Sequence, residues 1–217
     1  MEVSPDKKKK KTSSFIIRKL VALNVYRYRV KPYRNLERAN LLLADLHERD
    51  LRGINFSSAN LVAANLDGAD LTGAQMDGVN MNGTSCSQTN FSDVNLKNAI
   101  LGASFVEATF VNADLSGAIL EYGILTRADM SGAMLVGANM KNVDLVDAIL
   151  IDANLTKANL RDSFMWNADL TRANLRGVDF SGADLSGANL TNAILNDAVF
   201  ENAVLTGVTM PDGSIVQ

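Results

Sequence analysis

The chain has 217 residues, 47% of them hydrophobic but only 6% aromatic, and a net charge of −3. Ordinary cores lean on large aromatic side chains for buried area, so the interior expected here is narrow and built from many small and medium ones. The single cysteine, Cys86, excludes an intrachain disulfide, and no apolar run reaches the length that crosses a bilayer.

The first element is basic. Lys7, Lys8, Lys9, Lys10 and Lys11 form a run, and Arg18 and Lys19 follow. Residues 1–35 hold eleven bases against Glu2 and Asp6, a net of +9, which leaves −12 on the remainder: a basic arm on an acidic body. Arg18 and Lys19 interrupt the arm's apolar stretch and no small-residue cleavage site follows, so a secretory signal is not expected. Over 14–33 a cap segment is predicted. Phe15-Ile16-Ile17-Arg18-Lys19-Leu20-Val21 suits the start of a short amphipathic helix. Val25 to Val30 alternates as a strand does, with Tyr26, Tyr28 and Val30 on one side and Arg27 and Arg29 on the other.

From residue 34 to residue 210 an apolar centre recurs at every fifth position. Leu36, Leu41, Leu46, Leu51 and Phe56 open the series, which runs through Met76, Met81, Cys86 and Phe91 to Leu101. One residue is then missing, because the next centre is Phe105; from Phe110 the beat is unbroken to Met210. Of the 36 units, 24 carry Ala two residues before the centre and 22 carry Asp or Asn one before it. Two residues after the centre, Gly stands in 12 units and Asn in six, as in Ala69-Asp70-Leu71-Thr72-Gly73.

A period of five matches neither the 3.6 of a helix nor the 2 of a flat strand. It matches a chain that turns a corner every five residues. The centre and the residue two before it share a side, as alternate residues of an extended segment do, and both are apolar, so that side faces inward. The Asp or Asn faces out, placed to accept a backbone hydrogen bond. The Gly or Asn after the centre suits a turn position with φ > 0. Four corners close a coil of 20 residues, and coils at ~4.8 Å spacing stack into a rod of about nine coils and roughly 43 Å.

Several units depart from the pattern. Ser163-Phe164-Met165-Trp166-Asn167 replaces Ala with Ser and puts Phe where Asp or Asn is usual. Arg34 and Arg49 fall on inward positions, where an unpaired guanidinium is costly, so the first coil is expected to be distorted or open at its end. The shortened unit Ala99-Ile100-Leu101-Gly102 reads either as a slip absorbed by Gly102 or as a bend shaped for a partner. At the far end, Pro211-Asp212-Gly213 signals a turn that would fold Ile215-Val216 over the last coil.

These residues resemble the pentapeptide-repeat family over about Asn35 to Met210. The resemblance implies an all-β fold, a right-handed quadrilateral β-helix; the handedness comes from the resemblance and not from the period. Thr209-Met210-Pro211-Asp212-Gly213-Ser214-Ile215 is similar to the ending of cyanobacterial members. The domain organisation that follows is a disordered basic tail over 1–13, a cap segment over 14–33, the solenoid over 34–210 and a C-terminal cap or tail over 211–217.

No catalytic constellation is visible. His47 is the sole histidine and reads as a surface residue, while Cys86 lies on the inward beat and is a poor nucleophile when buried. Nine Asp residues occupy the position before the centre, where they alternate with Asn, which cannot act as a general acid or base. The glycines follow the period rather than a phosphate loop. Neither an enzyme nor a cofactor, metal or small-molecule site is expected.

What remains is the outer surface. Counting units places Val106, Ile124, Val146, Phe164 and Trp166 on one face near the middle of the rod, Val111, Ile149 and Ile151 on the adjoining face, and Tyr122 near the opposite corner. Clustered outward apolar residues, with Trp and Tyr among them, read as an interface for a protein partner or a second copy; the competing reading is a lateral face that tolerates β-branched residues in stacked strands. The arm, through Lys7 to Lys11, Arg18 and Lys19, reads as a solvated tail, as a peripheral contact with anionic membrane, or as a nucleic-acid contact, the last disfavoured by the acidic body. The leading expectation is a non-enzymatic interaction scaffold or regulator, cytoplasmic or membrane-peripheral, with no direct nucleic-acid binding. The alternative is DNA mimicry. The quinolone-resistance branch of the resembled family is like a duplex in shape and charge and engages DNA gyrase, and an acidic rod fits that role. Against it, no loop insertion interrupts the repeats, no evident dimerising helix follows Met210, nine acids occupy structural positions, and the others read as dispersed rather than concentrated on one face.

Overall fold

The computed structural model describes residues 32–217. The basic tail, and all but the last two residues of the predicted cap segment, lie outside the described residues. Within them the chain winds as a β-solenoid with no helix, and each unit contributes a single bridged residue rather than an extended strand.

The repeat is explained by its backbone hydrogen bonds, because all five N–H groups of a regular unit are satisfied. In Ala69–Gly73, Ala69 N–H donates to Leu66 O at 2.9 Å and closes the preceding turn. Asp70 N–H reaches back one coil to Arg49 O at 2.8 Å, while Leu71 and Gly73 reach forward to Asn90 O and Ser92 O at 2.8 and 2.9 Å. The fifth, Thr72 N–H, donates to Asp70 Oδ1 at 3.0 Å. Every Asp or Asn before a centre accepts such a bond from the residue two ahead, from Asn35 to Asn189. This is the structural role anticipated for the acids of the repeat.

The bridges form four parallel ladders, which define four faces. Face I runs from Asn35 and Asn55 to Ile194, face II from Asn40 and Asn60 to Val199, face III from Asp45 and Asn65 to Val204, and face IV from Asp50 and Asp70 to Thr209. Partners are 20 residues apart except across the slip, where they are 19 apart: Asn95 with Asp114, Ile100 with Ile119, Ser85 with Ser104 and Asn90 with Thr109. Outside the shortened turn after Leu101 and the last turn after Met210, the third residue of each turn has positive φ whether or not it is glycine. Gly73 sits at 68°, but Leu43, Ala63 and Tyr122 are held at 59°, 53° and 60°. The turn geometry thus overrides the local preference of these residues.

The centres converge on one axis. From Leu41 to Leu190 they are all buried, and Phe91, Phe105 and Phe110 form a cluster beside the slip. Phe91 and Phe110 stack at 4.8 Å, and Phe105 meets both edge-on at 5.8 and 5.3 Å. Cys86 occupies the centre stacked next to Phe105 on face III, and its small volume fits beside that cluster. Polar side chains on the inner beat are satisfied: Thr84 and Thr89 donate to Leu61 O and Leu66 O, and Ser163 to Leu160 O.

The slip is absorbed at a single corner. Ala103 N–H donates to Leu101 O at 2.8 Å, closing a turn one residue shorter than the others. Two glycines make room for it. A Cβ on Gly102 would lie 2.8 Å from Asn82 Oδ1, and one on Gly123, stacked over Ala103, would lie 2.9 Å from Leu120 O. The ladders continue through this point on all four faces.

Of the two alternatives for the first coil, distorted or open at its end, distortion is not found. Asn35 and Asp50 bridge in register, and Arg34 O and Arg49 O accept from the next coil at 2.8 Å. Arg34 is exposed, and Arg49 and the first centre, Leu36, are half-buried, so the first coil keeps its backbone path and is open at its end among the described residues. At the other end, Gly213 N–H donates to Met210 O at 2.9 Å and Met210 N–H to Ser214 O at 2.7 Å. The tail returns antiparallel, with Ile215 bridged to Thr209 and Val216 packed on the core.

Candidate protein-interaction faces

With each residue assigned to the face of its unit, the charge is uneven. Face I carries +1, face II −2, face III −6 and face IV −4, so two adjacent faces hold −10 of the −11 on residues 34–217. Face III sets Asp45, Glu48, Asp67, Glu107, Asp144, Asp147 and Asp184 against Arg127 alone; face IV sets Asp50, Asp70, Asp93, Asp129, Asp152, Asp169 and Asp212 against Arg49, Arg52 and Arg172. The acids away from the position before the centre are dispersed as expected, three or four to a face; the excess on faces III and IV comes from the structural Asp residues, seven of the nine lying there. Consecutive units fall on different faces, so a linear reading averages four faces that differ.

Three of those bases are engaged: Arg127 pairs with Glu107, Arg172 with Asp152 at 2.6 Å, and Arg52 with Asp50 at 2.8 Å. The Arg172 hydrogen bond holds the Asp152 carboxyl below the usual carboxylate range. Asp129, Asp144, Asp147, Asp169 and Asp184 have no cationic partner among the described residues. Burial alone would raise the Asp184 carboxyl, but hydrogen bonds from Ser186 and Trp166 outweigh it and hold the group low.

The apolar candidates sit among these acids. On face III the ladder reads Ser104, Ile124, Asp144, Phe164, Asp184. Beside it Val106, Thr126, Val146 and Trp166 stack in successive coils, their carbonyls accepting from Gln88, Glu107, Arg127 and Asp147. Phe164 is 51% exposed and Trp166 47%, their rings edge to face at 6.5 Å. On face IV Ile149 follows Asp129 in the ladder, with Val111 and Ile151 in the adjoining row. Tyr122, 69% exposed, stands on the corner between faces II and III. The nine residues thus cover two adjoining faces and the corner before them.

Sequence reasoning missed Ile119 and Val199 on face II, Met134 on face I and Val204 on face III, all exposed. The signal was present, since all four replace the usual Asp or Asn; Ile119 has Ile100 beside it in the ladder, but not the adjoining apolar row that flanks Phe164. His47 is exposed beside Asp45, and burial pushes the Cys86 thiol well up, so neither is poised for chemistry. Among the described residues no group of His, Cys, Asp and Glu could hold a metal ion, and no helix is long and apolar enough to cross a membrane.

Comparison with known proteins matches this geometry. The family described as Pentapeptide repeats matches in 8 copies, over residues 39–78, 69–102, 101–122, 120–150, 148–187 and 183–212. No curated protein matches. Among solved structures, HetL, a pentapeptide repeat protein involved in heterocyst differentiation regulation from the cyanobacterium Nostoc sp. strain PCC 7120, is 28% identical. That match covers 92% of this chain and 98% of HetL, with a TM-score of 0.44. Trypsin-treated QnrB1, a plasmid-mediated fluoroquinolone resistance protein, is 22% identical over 82% of this chain and 89% of its own, with a TM-score of 0.60. The repeat unit, its four ladders and the family match over nearly the whole described region lead to one conclusion: this chain belongs to the pentapeptide-repeat family.

Proposed function

We propose that this protein is a non-enzymatic interaction scaffold or regulator that binds a protein partner, or a second copy of itself, through faces III and IV. The observation that carries this reading is a local sacrifice. At Ile124, Ile149 and Phe164 an exposed apolar side chain stands where Asp or Asn otherwise caps the backbone. Each replacement forgoes a hydrogen bond worth about 1 kcal/mol and exposes apolar surface, as at Ile119, Met134 and Val199 on the other faces, but here with apolar neighbours in the adjoining row. Rules broken without structural return mark functional positions. Clustering with Val106, Val146 and Trp166 supplies the apolar anchors, and the surrounding acids supply selectivity for cationic surfaces.

The solenoid itself is proposed to be a right-handed quadrilateral of about nine coils, acting in the cytoplasm or at a membrane surface. Capture from native cells with the intact protein and with a Val146→Asp, Trp166→Asp variant tests the interface. Loss of capture or of self-association in the variant is expected; unchanged affinity would remove the idea.

The charge of −6 and −4 on adjacent faces favours a second reading, a DNA-mimicking modulator of DNA gyrase or topoisomerase, since a narrow acidic rod steers towards a basic groove. A supercoiling assay discriminates the two: neither inhibition nor drug protection at saturating protein would dispose of it.

A further inference from the structure

We propose that the chain's own basic arm, residues 1–31, seats on faces III and IV in cis and occupies the surface on which a partner would bind. The inference rests on the reading of those faces as a binding surface and adds its first occupant.

Charge complementarity is the first argument. The arm holds ten bases against Glu2 and Asp6, and two of the four faces hold almost all of the body's negative charge. The other two are close to neutral, so the attraction has a direction around the rod as well as a sign. Five of the acids without a cationic partner among the described residues, Asp129, Asp144, Asp147, Asp169 and Asp184, border the apolar positions. The arm matches both features, because Phe15, Ile16, Ile17, Leu20, Tyr26 and Tyr28 are interleaved with its bases.

Connection is the second argument. Tyr33 N–H donates to Arg52 O at 2.9 Å, and Arg52 belongs to face IV, so the arm joins the solenoid at the end of an acidic face. The apolar patch begins about three coils further on, roughly 14 Å at ~4.8 Å per coil, and ends within about 30 Å. An extended chain of this length spans up to ~100 Å, and a tethered segment acts at an effective concentration of about millimolar. Modest affinity is then enough for occupancy.

The full chain carries its own probe, since Trp166 is the only tryptophan and lies within the patch. Acrylamide quenching of Trp166 at low salt is expected to be about two-fold weaker in the natural protein than in a variant with Lys7 to Lys11, Arg18 and Lys19 all changed to Gln, and the difference should vanish near 1 M salt. Zero-length carbodiimide cross-linking of an equal mixture of isotopically light and heavy chains gives the second readout. Light–light and heavy–heavy links from Lys7 to Lys11 to face III and IV carboxylates are expected. Equal quenching of the two proteins, links spread evenly to Asp77, Asp114, Glu121 and Asp179 on faces I and II, or predominant light–heavy links would each overturn the proposal. So would a change in Trp166 that arises only when vesicles containing phosphatidylserine are added, which would assign the arm to membranes. Partner capture by the Trp166 variant reads the binding surface independently, so failure of either idea is seen without the other.

Discussion

Faces II and III share the contracted corner at Leu101–Ser104 and the same backbone ladder, yet they present different surfaces. Face II satisfies itself. Asn60 Nδ2 donates to Asn40 Oδ1 and Asn159 Nδ2 to Asn139 Oδ1, each at 3.1 Å, while Ile100 and Ile119 are bridged neighbours in successive coils. Face III alternates Ile124 and Phe164 with Asp144 and Asp184, so that neither its apolar groups nor its carboxylates find partners of their own kind along the ladder. The comparison teaches that the solenoid backbone asks little of its outward side chains. A face can close upon itself or remain available without any change in the coil.

The largest effect expected is on binding. Val146→Asp with Trp166→Asp should weaken partner capture or self-association by about 100-fold, because buried aromatic anchors dominate interfaces. Val62→Asp, in the matching row of face II, should leave it unchanged, and both proteins should melt within a few degrees of the natural chain. Equal losses would mean that the two faces do not differ in role.

Next is the corner where face III begins. Gly123→Ala places a methyl 2.9 Å from Leu120 O and 3.4 Å from Leu101 O. Backbone atoms cannot move aside as a side chain does, so a loss of about 2 kcal/mol in denaturant unfolding is expected. Tolerance of the methyl would show that the shortened turn relaxes more easily than its packing implies.

A smaller change with opposite signs sharpens the contrast. Ile124→Asn restores the cap that Asp144 and Asp184 retain on the same face, so stability should rise by about 0.5–1 kcal/mol while affinity for the partner falls. A loss of stability in thermal melts would contradict the sacrifice assigned to this position.

The smallest effect is acid sensitivity. Asp179 on face II and Asp184 on face III are both held low: burial opposes this, and hydrogen bonds from Ser181 and Arg161, or from Ser186 and Trp166, outweigh it. A carboxyl lowered by folding contributes stability that is present above its unfolded value and is lost as pH falls through the folded one. The melting temperature should therefore drop below about pH 4. Asp184→Asn should flatten that drop slightly, and an unchanged profile would place the acid sensitivity elsewhere.

Much of this was legible in the chain itself. The fifth-residue beat identified the axis, and the missing residue before Phe105 located the short corner. Three things were not. The role of Gly123 was hidden because it stands where Ala is usual, and its need for space comes from two backbone oxygens, Leu120 O in its own coil and Leu101 O one coil away. Which of the two first-coil alternatives holds was open because a guanidinium on the inward beat is tolerated where the coil end leaves it exposed, as at Arg34. The acidity of faces III and IV was missed because Asp144 and Asp184 are 40 residues apart in sequence yet occupy one ladder.

The sequence by itself determined the repeat, the inward and outward assignment and the turn positions, because these depend on residues within five of one another and on backbone donors that every unit carries. Only the tertiary structure decided which outward residues became neighbours and where the charge gathered. Those contacts join positions 19 or 20 apart, so the one-residue slip sets the register of everything beyond it.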